Sequence, residues 1–105
     1  MYIKLCSVQD VPLGETRQFD LRDEEILVVN LNGVFCCLEA RCSHAGAPLA
    51  EGEMEGDILV CPWHHSRFRV TDGSVVSSPA RAPLKVYKSL IKDGYILIEF
   101  QDAKD

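Results

Sequence analysis

The chain has 105 residues, 47% of them apolar, and a formal net charge of −5. That length holds one domain with a core it can bury without staples, and the composition excludes a disordered chain. The negative balance speaks against nucleic acid or an anionic membrane as partner. The longest apolar stretches, such as residues 26–29, fall far short of the ~20 residues that span a bilayer.

In chain order the predicted elements are short strands separated by turn residues, an all-β pattern. Residues 2–5 open the chain, a turn is possible after Ser7, and Pro12-Leu13-Gly14 breaks it before a strand over about 15–20. Residues 26–31 and 34–39 flank Asn32-Gly33, the strongest hairpin signal, because Asn-Gly accepts the positive φ values of a type I′ turn. A second hairpin is expected around Glu55-Gly56-Asp57, leading into 58–60. Strands over 67–70 and 74–76 flank Asp72-Gly73, and strands over 84–91 and 95–100 flank Asp93-Gly94. In the last strand Ile96, Ile98 and Phe100 share one face, the expected core side.

No apolar run precedes Asp10, so the N-terminus does not read as a signal peptide and a cytoplasmic protein is expected. Five cysteines agree with that compartment, since no spacing among them suggests a disulfide framework. Cys6, Cys36 and Cys37 read as small buried hydrophobes, with Cys36 and Cys37 on opposite faces of one strand.

The remaining cysteines stand in two mixed clusters, Cys42-Ser43-His44 and Cys61-Pro62-Trp63-His64, with sixteen residues between His44 and Cys61. Common zinc fingers take both cysteines from one turn and both histidines from another element. Here each loop offers one thiolate and one imidazole, which suits a two-metal centre with sulfur on one metal and nitrogen on the other.

The pattern C-x-H-x16-C-x-x-H resembles the Rieske signature. The flanking residues fit it too: 42–49 and 61–68, then Thr71-Asp72-Gly73 and Ser78-Pro79-Ala80. The resemblance covers nearly the whole chain and is nearest to the free Rieske-type ferredoxins of bacterial ring-hydroxylating dioxygenase systems. It implies one [2Fe–2S] cluster held by Cys42, His44, Cys61 and His64. It also implies a β-sandwich or barrel base with a small cluster-binding lobe at about 40–80, nested in a single domain over 1–105.

Its implied role is a soluble one-electron carrier, not itself an enzyme. It would take electrons from a flavin-dependent reductase and pass them to a terminal oxygenase, meeting both transiently as a monomer. Two alternatives keep the same four residues. One is the small subunit of a reductase such as nitrite reductase, and the other is a zinc-binding structural module.

Two imidazoles in place of two thiolates remove two negative charges, so the added electron meets less repulsion and the potential rises. By resemblance, high-potential Rieske proteins carry an inter-loop disulfide at the positions of Ala47 and Trp63, and serine and tyrosine hydroxyls at those of Ser66 and Phe68. This chain lacks the bridge and the tyrosine hydroxyl, which places its potential low to intermediate. His65 stands where the family usually has glycine, at a tight turn that a histidine tolerates with some strain. The rims of His44 and His64, with Ala45, Pro48, Trp63 and Pro79, are expected to form the docking face. Acids at Glu51, Glu53, Glu55 and Asp57 alternate beside it, as a solvated hairpin edge or as a strip that steers a basic partner.

Overall fold

A computed structural model describes residues 1–63 and 65–100. Among the described residues eleven strands form three antiparallel sheets. β1 (Tyr2–Ser7), β11 (Tyr95–Glu99) and β10 (Ser89–Lys92) make the first, in the order β1-β11-β10. β2 (Thr16–Leu21), β3 (Glu24–Leu31), β4 (Val34–Glu39) and β9 (Val86–Tyr87) make the second. β5 (Glu53–Glu55), β6 (Ile58–Val60), β7 (Arg67–Arg69) and β8 (Val75–Ser77) make the third, which falls in sequence between β4 and β9 of the second.

The second sheet is the centre of the molecule because both of its faces are buried. Leu27 and Val29 of β3 enter one core with Leu38, Leu49, Leu59, Phe68 and Val70. Ile26 and Val28 enter the other with Val11, Ile96 and Ile98. Alternation along a strand turns successive side chains to opposite faces, so the run Ile-Leu-Val-Val is what a strand covered on both sides requires. Cys36 and Cys37 divide as expected, Cys36 packing against the first core and Cys37 lying in the second. Burial pushes the Cys6 and Cys37 thiols up to about 11 and about 12, so neither is poised as a nucleophile. The first and second sheets, joined by the second core, are the sandwich form of the expected base.

The hairpin signals hold. β3 and β4 meet across Asn32 (φ 53°) and Gly33 (φ 92°), and Asn30 Oδ1 accepts from the Gly33 N–H at 2.8 Å while its Nδ2 donates to the Val11 carbonyl at 2.9 Å. The turn after Ser7 is a single 3-10 turn, Val8–Asp10, closed by a capping box between Ser7 and Asp10. The expected strand over 84–91 is instead two. Val86–Tyr87 pairs with β4, and Ser89–Lys92 pairs with β11. One segment passing between two sheets cannot keep a single ladder, and Lys88 is where it changes over. A tight turn at Arg22 and Asp23, both at positive φ, has no glycine or proline to announce it.

Candidate metal centre

Two loops of six residues rise from the first core, Cys42 to Ala47 after β4 and Cys61 to Ser66 between β6 and β7. They share one backbone frame. The Cys42 N–H donates to the Ala47 carbonyl at 2.9 Å, and the Gly46 N–H donates back to the Cys42 carbonyl at 2.8 Å. The Cys61 N–H donates to the Ser66 carbonyl at 2.8 Å, and the His65 N–H donates to the Cys61 carbonyl at 3.2 Å. Each turn closes through a left-handed residue, Gly46 at φ 75° and His65 at φ 61°. The tight turn expected at His65 is therefore present.

The frame brings the two thiols together. Cys42 is 4% exposed and Cys61 1%, and their side chains lie in hydrogen-bond contact. Burial pushes the Cys42 thiol above its ordinary range, opposed by the N–H groups of His44 and Ala45 aimed at its sulfur. Those donors favour the thiolate, the form that binds metal. His44 is exposed at the loop tip. His64, the fourth expected ligand, lies outside the described residues. Among the described residues no third His, Cys, Asp or Glu joins the two thiols in one cage.

Of the other residues singled out, Ser66 and Phe68 are fully buried, and Phe68 shares a core with both thiols. Ser66 Oγ accepts from the Ala80 N–H at 3.0 Å. Trp63 is 53% exposed and His65 is exposed, whereas Pro79 is half-buried. Ala47 is buried within the first core while Trp63 faces out. One polar tie escaped the sequence reading. Ser43 Oγ donates to the Ala82 carbonyl at 2.6 Å, and only the hydroxyl between two ligand-type residues hinted at it.

The acidic strip divides in two. Glu55 pairs with Arg67, and Asp57 with Arg69 at 3.4 Å. Glu51 and Glu53 are exposed and make no ion pair among the described residues. They line a cleft of about 260 Å³ that reaches Cys61, Pro62 and His65.

The sequence matches the Rieske [2Fe-2S] domain over residues 1–88. The chain belongs to the Rieske [2Fe–2S] family. It is 35% identical over 103 residues to the biphenyl dioxygenase ferredoxin subunit of Pseudomonas sp. (strain KKS102), covering 97% of this chain and 94% of that one. Among solved structures it is similar to the Sphingomonas yanoikuyae B1 ferredoxin, with a TM-score of 0.91, 28% identity and coverage of 96% and 100%. It is also similar to a chain in the complex of reduced oxygenase and oxidized ferredoxin in carbazole 1,9a-dioxygenase, with a TM-score of 0.86, 31% identity and coverage of 92% and 91%.

A Rieske-type [2Fe–2S] cluster is thus the prosthetic group, and the residues present fit it. Paired buried thiols with N–H donors toward Cys42 suit the sulfur-ligated iron. An exposed His44 on the same loop as Cys42 suits a centre whose thiolates share one iron and whose imidazoles share the other.

Proposed function

We propose that this protein is a free Rieske ferredoxin that takes one electron at a time from a flavin-dependent reductase and delivers it to a terminal oxygenase. The observation that carries this reading is the pair of like-framed loops, with buried thiols at their base and His44 exposed at the tip. Two of the similar proteins support it, a biphenyl dioxygenase ferredoxin subunit and a ferredoxin of nearly the same length.

Cys42 and Cys61 would hold one iron and His44 and His64 the other, within a cluster-binding lobe over about 40–80. When bound, the cluster supplies a reversible one-electron site of raised potential. The rest is done by the chain. Burial of the loop bases excludes water from the thiolates, and the His44 and Ala45 N–H groups offset the charge of Cys42. The exposed imidazole of His44 shortens the path to a partner. Trp63 and Ala45, both exposed, and half-buried Pro48 and Pro79 give that face its apolar surface. No helix among the described residues is long and apolar enough to cross a membrane. The protein works as a cytoplasmic monomer that meets each partner transiently.

The test is metal analysis followed by turnover. Purified protein should hold two irons and two acid-labile sulfides per chain, with an electron paramagnetic signal only when reduced. Added to a flavin reductase, a nicotinamide donor and a ring-hydroxylating oxygenase, it should restore substrate-dependent oxygen uptake. Zinc in place of iron in the native protein would overturn the reading.

A further inference from the structure

Residues 78–84 follow β8 and reach both ligand loops, and among the described residues three hydrogen bonds tie them down. The Ala80 N–H donates to Ser66 Oγ of the second loop at 3.0 Å. The Ala82 carbonyl accepts from Ser43 Oγ of the first at 2.6 Å. The Leu84 N–H donates to the Gly73 carbonyl at 2.8 Å, where a Cβ on Gly73 would collide with the Leu84 carbonyl oxygen. The outer ties are sheltered, because Ser66, Ala80, Gly73 and Leu84 are all buried. Between them Arg81, Ala82 and Pro83 are exposed, and the Ser43 bond reaches this open stretch.

We infer that Ser43 is a positioning residue for electron transfer, its hydroxyl latching residues 81–83 against the loop that carries Cys42 and His44. The inference rests on the Rieske reading above. Ser66 fastens the segment to the second loop alone. Ser43 completes the span, so that one strap joins both loops and their separation stays fixed as the centre gains and loses an electron. The strap also shields the first loop from water. Opening it favours the reduced cluster, the more highly charged form, and raises the potential.

Two variants of the same shape isolate the hydroxyl: Ser43→Thr keeps it and Ser43→Val removes it. Hydrogen exchange in the peptide covering 78–84 of the cluster-loaded protein should quicken about fivefold in Ser43→Val, the loss expected for one hydrogen bond, and stay at the wild-type rate in Ser43→Thr. The midpoint potential should rise in Ser43→Val and return in Ser43→Thr. Equal exchange in the two variants would overturn the latch. Faster exchange with an unmoved potential would leave Ser43 a structural tie and overturn its positioning role. Should Ser43→Val not fold, Ser43→Ala carries the same comparison with no added bulk. Absence of two irons from the wild type would defeat the Rieske reading itself, a failure told apart by metal analysis before any variant is made.

Discussion

The two ligand loops share a backbone and differ in almost every side chain upon it. Both set a cysteine at the base, a left-handed residue four positions on and a fully buried residue five positions on. In the first loop those later positions are Gly46 and Ala47, which add neither strain nor polarity. In the second they are His65, a side chain in a left-handed conformation, and Ser66, a buried hydroxyl. The common frame is what holding a cluster demands. The differences lie in the polar and strained residues, His65 and Ser66 in the second loop and Ser43 in the first.

The largest effect should expose the common frame. Cys42→Ser and Cys61→Ser should each reduce iron and sulfide to near zero and lower the melting temperature, because two loops lose one anchor. Equal losses support equivalent roles. A variant that kept a full cluster would show that the loops are not equivalent and that its cysteine is no ligand.

Next come the buried residues near the thiols. Ser66→Ala should lower the midpoint potential, because the Ser66 Oγ accepts from the Ala80 N–H and leaves the hydroxyl proton to be donated toward a reduced cluster. It also strands the buried Ala80 N–H, a cost of about 1–3 kcal/mol readable by denaturant titration. Phe68→Tyr should raise the potential by adding a hydroxyl beside the thiols. The wild-type value should sit in the lower half of the Rieske range of about −150 to +300 mV, and one near the top would contradict the weight given to these two positions.

How far the sequence disclosed this arrangement depends on where the information lies. Turn chemistry and ligand spacing are local, so the hairpins at Asn32-Gly33, Gly56 and Gly94, the two loops and the left-handed His65 were legible. The double-sided burial of β3 was legible in principle, since four consecutive apolar residues need cover on both faces. Non-local matters were hidden. The exchange of sheets at Lys88 is settled by which neighbour offers a free edge, and the Ser43–Ala82 bond joins residues 39 positions apart. The pairing of Glu55 and Asp57 with Arg67 and Arg69 depends on the registers of β5 against β6 and of β6 against β7, which composition does not encode.

A mirrored pair of substitutions tests the strain that separates the loops. His65→Gly should stabilise the protein by about 1 kcal/mol by removing a Cβ from a left-handed position, and Gly46→Ala should destabilise it by about as much. Space is not the issue at Gly46, where an added Cβ would meet no atom within 4 Å. The measurement is the denaturation midpoint of each loaded variant. A His65→Gly variant less stable than wild type would mean that the imidazole makes an interaction worth more than its strain.

The smallest effect concerns the acids beside the second loop, and it should appear in rate rather than affinity. Glu55 and Asp57 are held by arginines, so their charge is already offset, whereas Glu51 and Glu53 present theirs to the solvent beside Cys61 and His65. Exposed charges at a rim act mainly on encounter. The double variant Glu51→Gln, Glu53→Gln should therefore slow reduction by a cognate reductase severalfold at low salt. At 1 M salt, where the Debye length is about 3 Å, it should match the wild type. Glu55→Gln should slow the same step at low salt too, because it leaves the positive charge of Arg67 unpaired at the rim, where it repels a basic partner, which the same stopped-flow series would detect. Were the double variant to follow the wild type at both salt concentrations, the strip would be a solvated hairpin edge, and partner steering would have to come from elsewhere on the surface.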